Sequence, residues 1–340
     1  MTTPSGSRPP VVDVSAAADP VAAFFTASER GHLVALRTSG TTGPARAVVR
    51  TPTSWTGSFP HVSRLAGLGA GARVWVPGPL AATMNLFAVV HARCVGATVV
   101  ASPEQATHAH LTPAGLVAAL TAGADLRGRT VVVAGDRLAR QVADRATAAG
   151  AAVHHYYGAA ELSFVAWGSA EDDLRLFPGV TAEVRAGRLW VRSPWLSLGY
   201  DGADGPFERS GDGFATVGDR GDLDGQALTV HGRGSDAVVT AGATVLVDDV
   251  ESVLRRATGG DVVVVGVPHP RLGAVVTAVL PDPELLPAAR AAARTGLAPA
   301  QRPHRWLYAR AFPLTPGGKV DRAVLAALAA SGSLPPAVRP

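Results

Sequence analysis

Along the chain the apolar positions fall into short blocks of two kinds. Compact, mostly β-branched or alanine-rich runs read as buried strands at Leu33–Leu36, Val74–Val76, Ala97–Val100, Val131–Ala134 and Ala152–Tyr156. Between them, longer segments predict helices over Met84–Cys94, Pro113–Leu120 and Arg137–Ala149, with Thr112 as an N-cap before Pro113. Alternation of this kind argues for a parallel sheet. After Gly158 the pattern changes. Ala182–Arg185 and Leu189–Arg192 flank Ala186-Gly187 as a hairpin, and Phe214–Val217 and Ala227–His231 flank an Asp/Gly-rich turn. This stretch reads as mostly antiparallel. The small, glycine-containing segment 231–236 marks a boundary. Beyond it strands at Val238–Thr240, Thr244–Val247, Asp261–Val267, Val275–Leu280 and Trp306–Ala309 mix with helices at Asp249–Ala257, Pro287–Arg294 and Arg322–Ala330. The expectation is an α/β protein. Residues 31–232 form a large domain with a parallel sheet and a β-rich part, and residues 233–340 a small, mobile α+β C-terminal domain. Residues 1–30 are an N-terminal segment, partly disordered.

Composition narrows the class. The chain has 340 residues, 47% apolar and 17% charged, which excludes bulk disorder. One cysteine, Cys94, excludes an internal disulfide and any cysteine-based zinc site. The start of the sequence lacks an apolar core behind a basic stretch, and no run of 18 apolar residues occurs. A cytoplasmic protein without a membrane span is expected. The net charge of +4 comes from scattered basic residues rather than a stripe, which argues against nucleic acid. Of 31 basic residues all but Lys319 are arginine. Lys319 is either a chance survivor or a site that needs a compact ammonium in place of a guanidinium fork.

Four segments carry chemistry. Thr38-Ser39-Gly40-Thr41-Thr42-Gly43 follows a strand with hydroxyls set between glycines, which suits an oxyanion cradle for a polyphosphate. It is not a Walker A loop, and a plain polar turn is the alternative reading. Tyr156-Tyr157-Gly158-Ala159-Ala160-Glu161 offers an aromatic that can stack on a purine and a carboxylate that can hold Mg2+. Val217-Gly218-Asp219, then Gly232-Arg233, places a carboxylate and a guanidinium on neighbouring strands, with Asp222 and Asp224 read as turn residues. Pro313 to Arg322 puts Lys319 on a glycine-flanked loop.

Together and in this order, these segments resemble the adenylate-forming superfamily of acyl-CoA synthetases, luciferases and peptide-synthetase adenylation domains. Thr38–Gly43 is similar to its phosphate loop, although Arg46 stands where a lysine usually follows. The segment ending in Glu161 is similar to Tyr-Gly-x-Thr-Glu, with Ala160 in the threonine's place. The last is similar to Pro-x-Thr-x-x-Gly-Lys-Val-x-Arg. The resemblance implies that Tyr157 and Gly158 pack on adenine beside Gly135 and Asp136. It implies that Glu161 and Thr41 hold Mg2+, that Asp219 and Arg233 bind the ribose and phosphate, and that Lys319 bridges the carboxylate and the α-phosphate. Ser235 would be the hinge and Gly242 would line a coenzyme A tunnel. Leu80, Met84, Asn85 and Phe87, with positions around Ser163–Trp167, are the expected acyl-pocket residues, and their apolar setting suits an aliphatic or aryl acid.

The resemblance thus implies ATP-dependent activation of a carboxylic acid and transfer to a thiol, with ATP, Mg2+ and coenzyme A as cofactors. Short members resemble o-succinylbenzoate–CoA ligases. Two rivals remain open on these residues: an acyl-AMP ligase that loads a carrier protein, and a degenerate nucleotide-binding protein. The partners are a small-molecule carboxylic acid and coenzyme A or a carrier protein, and a homodimer is left open.

Overall fold

The computed structural model describes residues 8–38, 46–202, 204–233 and 237–337. The expected alternation forms one wing of a 13-stranded sheet. Strands Thr98–Val100, Arg73–Trp75, His108–Leu111, Thr130–Val133 and Ala152–Ala159 lie side by side and all parallel. Helices Thr83–Cys94, Pro113–Thr121 and Arg140–Ala148 connect them. Thr112 caps the second, its hydroxyl accepting from the Gly115 N–H at 3.1 Å. The sheet then continues antiparallel from Ser163–Gly168 through Ala227–Arg233 and Asp219–Asp224 to the Thr181–Arg185/Arg188–Arg192 hairpin. The mixed α/β architecture matches the expectation.

Three details differ. Strand Leu33–Arg37 does not join the parallel sheet. It sits in a four-stranded sheet of its own, between Val11–Asp13 and Ala47–Arg50, with Gly199–Tyr200 at the far edge. Residues 8–30 are not a loose leader: Val11–Asp13 pairs with Leu33–Arg37, and Pro20–Glu29 is a helix capped by Asp19. That helix buries Val21, Phe24 and Ala27, and Phe24 packs on Trp55 with ring centroids 5.4 Å apart. The strand His108–Leu111 lacks an unbroken apolar run because histidines occupy every second position, yet all four residues are buried.

The two sheets meet at an aromatic core of Phe24, Trp55, Phe59, Phe87, Phe164, Phe177 and Trp195. A five-stranded third sheet is built from Ala237–Thr240, Ala243–Leu246, Val263–His269, Gly273–Leu280 and Arg305–Tyr308. The valine run of its central hairpin is buried on both faces. Val262 and Val264 pack under helices Val247–Thr258 and Leu286–Gly296, whereas Val263 and Val265 pack under helix Arg322–Ala330.

An ion cluster ties those layers together. Glu251, with no exposed surface, accepts from the Arg322 and Arg255 guanidinium groups, each at 2.9 Å to Oε2, and from the Val264 N–H at 2.7 Å. Burial alone would raise the Glu251 carboxyl, but the two arginine charges outweigh it and hold the group below its ordinary value. Removing one member of such a cluster strands the others. Glu251→Gln is therefore expected to destabilise the fold by about 3–5 kcal/mol in urea unfolding; an unchanged midpoint would show that the cluster does not hold the layers together.

Burial also depresses several histidines: His91 and His155 to about 4, and His110 to about 3, the latter helped by His91 and His108. Their folded-state values lie below the ordinary value of 6.5, so the unfolded chain binds more protons between those limits. Stability is then fully present above pH 6.5 and is lost as pH falls toward 4, by up to about 1.4 kcal/mol per pH unit for each histidine. Melting temperature against pH measures this, and His110→Gln is expected to flatten the slope.

Candidate active site

A cavity of about 580 Å3 opens where the sheets and the Lys319 loop come together. Its wall includes Thr38, Gly135, Asp136, Tyr157, Gly158, Glu161, Asp219 and Lys319, so residues from all four sequence segments converge on one space. The backbone explains the convergence. Thr38 and Arg46 stand at the two ends of the first segment, and the Thr38 N–H donates to the Arg46 carbonyl at 2.8 Å. Ser39, Gly40, Thr41, Thr42 and Gly43 lie outside the described residues, as does Ser235.

The second segment does not end its strand at Tyr156, since Ala152–Ala159 continues through Tyr157 and Gly158 before turning back. At Gly158 a Cβ would lie 2.2 Å from the Ser163 carbonyl oxygen, so only glycine lets the two arms of this turn close. Tyr157 donates its hydroxyl to Asp219 Oδ2 at 2.5 Å, linking the second and third segments. Asp219 and Arg233 are backbone partners across their strands.

Lys319 lies in a tight loop. The Thr315 N–H donates to the Lys319 carbonyl at 2.8 Å and the Gly318 N–H to the Thr315 carbonyl at 2.8 Å. The loop comes very close to the large sheet: a Cβ on Gly318 would sit 2.9 Å from Thr112, and one on Gly135 would sit 4.0 Å from the Lys319 side chain. Asp248 and Arg137 form a second contact across the same seam at 3.4 Å, and a Cβ on Gly232 would sit 1.9 Å from Asp248.

Glu161 is 5% exposed and accepts from the Tyr200 hydroxyl at 2.7 Å. Burial, and then the Glu161 charge, raise the Tyr200 phenol and keep it a donor. Beside Glu161 lies Arg50, fully buried, whose guanidinium donates to Ser54 Oγ at 3.2 Å, to the Ala160 carbonyl at 2.5 Å and to the Trp195 carbonyl. Burial lowers its pKa to about 10, with Glu161 pulling the other way. His155 also lines the cavity. Its Nδ1 is 3.0 Å from the Val133 carbonyl, which fixes Nδ1 as the protonated nitrogen and leaves Nε2 a lone pair.

Three expected residues fall elsewhere. Of the acyl-pocket candidates Met84, Phe87, Ser163 and Phe164 are on the wall, and Leu80 and Asn85 are not. Leu80 packs against the aromatic core, and Asn85 is buried with its amide donating to the Pro79 carbonyl at 3.0 Å, because the turn at Gly78 needs that bond. Gly242 occupies the left-handed turn between Ala237–Thr240 and Ala243–Leu246 at φ +82° and is away from the cavity. Arg50 and Trp55 line the cavity without having been singled out in the sequence, whereas Phe87 and Phe164 fall among the expected pocket positions and Tyr156 opens the second segment. For Arg50 a local signal exists, a lone charge ending the apolar run Ala47-Val48-Val49. For Trp55 only proximity in the fold reveals it.

Among the described residues no three His, Cys, Asp or Glu side chains cluster as a metal site, and no helix is long and apolar enough to cross a membrane.

No protein-family model matches the chain. It is 30% identical over 319 residues to the protein named "Probable 2-succinylbenzoate–CoA ligase" of Mycobacterium tuberculosis, covering 85% of this chain and 82% of that one. It is 27% identical over 321 residues to "Uncharacterized acyl–CoA ligase YhfT" of Bacillus subtilis, covering 84% of this chain and 66%, just under two thirds, of that one. The fold superposes on ATP-bound MatB of Rhodopseudomonas palustris with a TM-score of 0.72 at 21% identity, over 88% of this chain and 69% of that one. Identity sustained along most of the mycobacterial ligase, on a fold shared with MatB, shows that the chain belongs to the adenylate-forming superfamily, in its AMP-forming acid–CoA ligase branch.

Proposed function

We infer that this chain uses ATP to activate a small carboxylic acid as an acyl-adenylate and then passes the acyl group to a thiol, coenzyme A. The observation that carries this reading is the meeting of Lys319 with Tyr157, Glu161 and Asp219 around one cavity, although they come from segments far apart in sequence.

A carboxylate oxygen of the acid attacks the α-phosphorus, the bond to the bridging oxygen breaks and pyrophosphate leaves. The acyl carbon of the adenylate then accepts the thiol sulfur and AMP departs. No protein nucleophile is required. The chain's contribution is position and charge. Tyr157 offers its ring face to adenine, and Asp219, oriented by the Tyr157 hydroxyl, offers acceptors to the ribose together with Arg233. Gly135 and Asp136 border the base, and the segment Thr38–Gly43 takes the phosphates. Lys319, a compact ammonium, neutralises charge gathering between the carboxylate and the α-phosphate.

Glu161 suits a magnesium ion shared with phosphate oxygens: it is a hard oxygen donor, Tyr200 occupies only Oε1, and Mg2+ commonly takes one or two protein carboxylates. Thr41 would add a hydroxyl. When bound, the ion would neutralise polyphosphate charge. Arg50 supplies a fixed positive charge behind Glu161 in any state of the site.

Residues 233–340 act in this reading as a module that turns about Ser235 between the two steps, withdrawing Lys319 and bringing Gly242 toward the thiol path. The close approaches of glycine at Gly232 and Gly318, with the Arg137–Asp248 contact beside them, support a joint between the two parts.

The reading is tested by acid-dependent pyrophosphate release. Lys319→Ala is expected to slow it by about 10²–10³-fold, with the melting temperature unchanged and acyl transfer from a supplied acyl-adenylate to coenzyme A retained. Equal rates in the variant and the parent would overturn the assignment of Lys319. An acyl-AMP product that never becomes a coenzyme A thioester would turn the reading toward carrier-protein loading.

A further inference from the structure

Part of the cavity wall is a continuous aromatic surface. Trp55 meets Phe87 edge-on at 5.4 Å and 89°, Phe87 meets Phe164 at 5.0 Å, and Phe164 meets Tyr156 at 4.5 Å. Each ring is backed by another. Trp55 rests on Phe24, Phe87 on Phe59, and Phe164 on Phe177 with the rings nearly parallel at 22°. Tyr156 stacks on Trp167 at 5.8 Å and 10°. Close-packed rings two layers deep cannot retreat to admit a long chain.

The cavity of about 580 Å3 must also hold the nucleotide. That volume is in the range one drug-sized ligand fills, so the acyl group has only a small share. A flat ring makes the most of what remains, since edge and face contacts with aromatic walls add to the area it buries.

This wall carries two hydroxyls. Tyr156 and Ser163 both line the cavity, and neither side chain has a hydrogen-bond partner among the described residues. Ser163 adopts a left-handed backbone at φ +64°, a conformation rare outside glycine, at the turn that leads back from Glu161. Asn85 is already committed to Pro79 and offers nothing further. Burial raises the Tyr156 phenol, so it remains a neutral donor throughout the ordinary pH range. Once the pocket is filled and dry, a phenol without a partner costs free energy, and a ligand that supplies the partner is selected over one that does not.

We propose that the acid activated here is a compact aromatic carboxylic acid bearing a hydroxyl or similar hydrogen-bonding group on its ring, and that Tyr156 is the residue that selects it. This rests on the ligase reading above and deepens it.

The test is pyrophosphate release with ATP and Mg2+ over benzoate, its 2-, 3- and 4-hydroxy derivatives, hexanoate and palmitate, for the parent protein and for Tyr156→Phe. At least one hydroxybenzoate is expected to exceed benzoate by about tenfold or more in kcat/KM, with palmitate inert. Tyr156→Phe should erase that ratio, bringing benzoate and the hydroxybenzoate to the same kcat/KM by relieving the unpartnered phenol with benzoate and removing the ring partner of the hydroxyl, while the KM for ATP stays the same. Preference for hexanoate or palmitate would overturn the proposal and leave the ligase reading standing.

Binding separates the two ideas. The same acyl groups are presented as acyl sulfamoyl-adenosines, inert mimics of the adenylate, and their affinities are measured by calorimetry. If no acid supports turnover but the hydroxybenzoyl mimic binds at least tenfold more tightly than the benzoyl and hexanoyl mimics, in a Tyr156-dependent way, the pocket proposal holds and the activity fails. Equal affinities across the mimics would overturn the pocket proposal.

Discussion

Everything around the cavity leans on one buried cation. Arg50 ends the strand that leads out of the Thr38–Gly43 segment, and its guanidinium reaches the Ala160 carbonyl on one side and the Trp195 carbonyl on the other. A buried guanidinium is costly unless its N–H groups are paired, and here each of its three nitrogens donates. The same bonds fix the relative position of three chain segments: the strand after the phosphate-binding candidate, the turn that carries Glu161, and the stretch that delivers Tyr200. Glu161 receives both a hydrogen bond from Tyr200 and the field of Arg50. Its orientation is thus decided before any ligand arrives, which is what electrostatic preorganisation requires.

The second constraint is the distance in sequence between the groups that share the cavity. Lys319 belongs to a module with its own sheet and two cores, one on each face. Glu251 holds that module rigid by gathering Arg322, Arg255 and the Val264 N–H. Arg322 follows Lys319 by three residues, so the anchor ties the loop that carries the ammonium to the core of the module. The module meets the large sheet through the Lys319 loop and through helix Val247–Thr258, whose Asp248 reaches Arg137 and whose following Gly259 lies against Gln141.

Much of this was legible in the sequence, for reasons that differ by region. The strands from Arg73 to Ala159 showed themselves because sheets covered on both faces demand unbroken apolar runs. His108–Leu111 hid because its two histidines are buried, which lowers both their pKa values, and His108 is hydrogen-bonded to the Thr107 hydroxyl and to the Ala66 carbonyl. The departure of Leu33–Arg37 to a second sheet is a matter of long-range pairing that no local pattern encodes. In the site, glycines and titratable residues at fixed spacings were readable, since their positions follow from turn geometry. The partnership of Arg50 with the Glu161 turn spans more than a hundred residues and follows from no spacing. Leu80 and Asn85 were misjudged because nearness to the cavity in sequence does not say which way a helix start turns its side chains.

The seam between the large sheet and the Lys319 module has a further consequence. At Gly232 and Gly318 a glycine backbone lies directly against a side chain from across the seam, where an added Cβ would come within 1.9 Å of Asp248 and 2.9 Å of Thr112. Closing a joint of long side chains freezes many rotamers, at about 0.5–1.5 kcal/mol for each one immobilised. Glycine has no rotamers to freeze. In the proposed reading of a turning module, the glycine half of each of these contacts would close without losing side-chain entropy, which would leave more of the balance between the two arrangements to whatever ligand occupies the cavity.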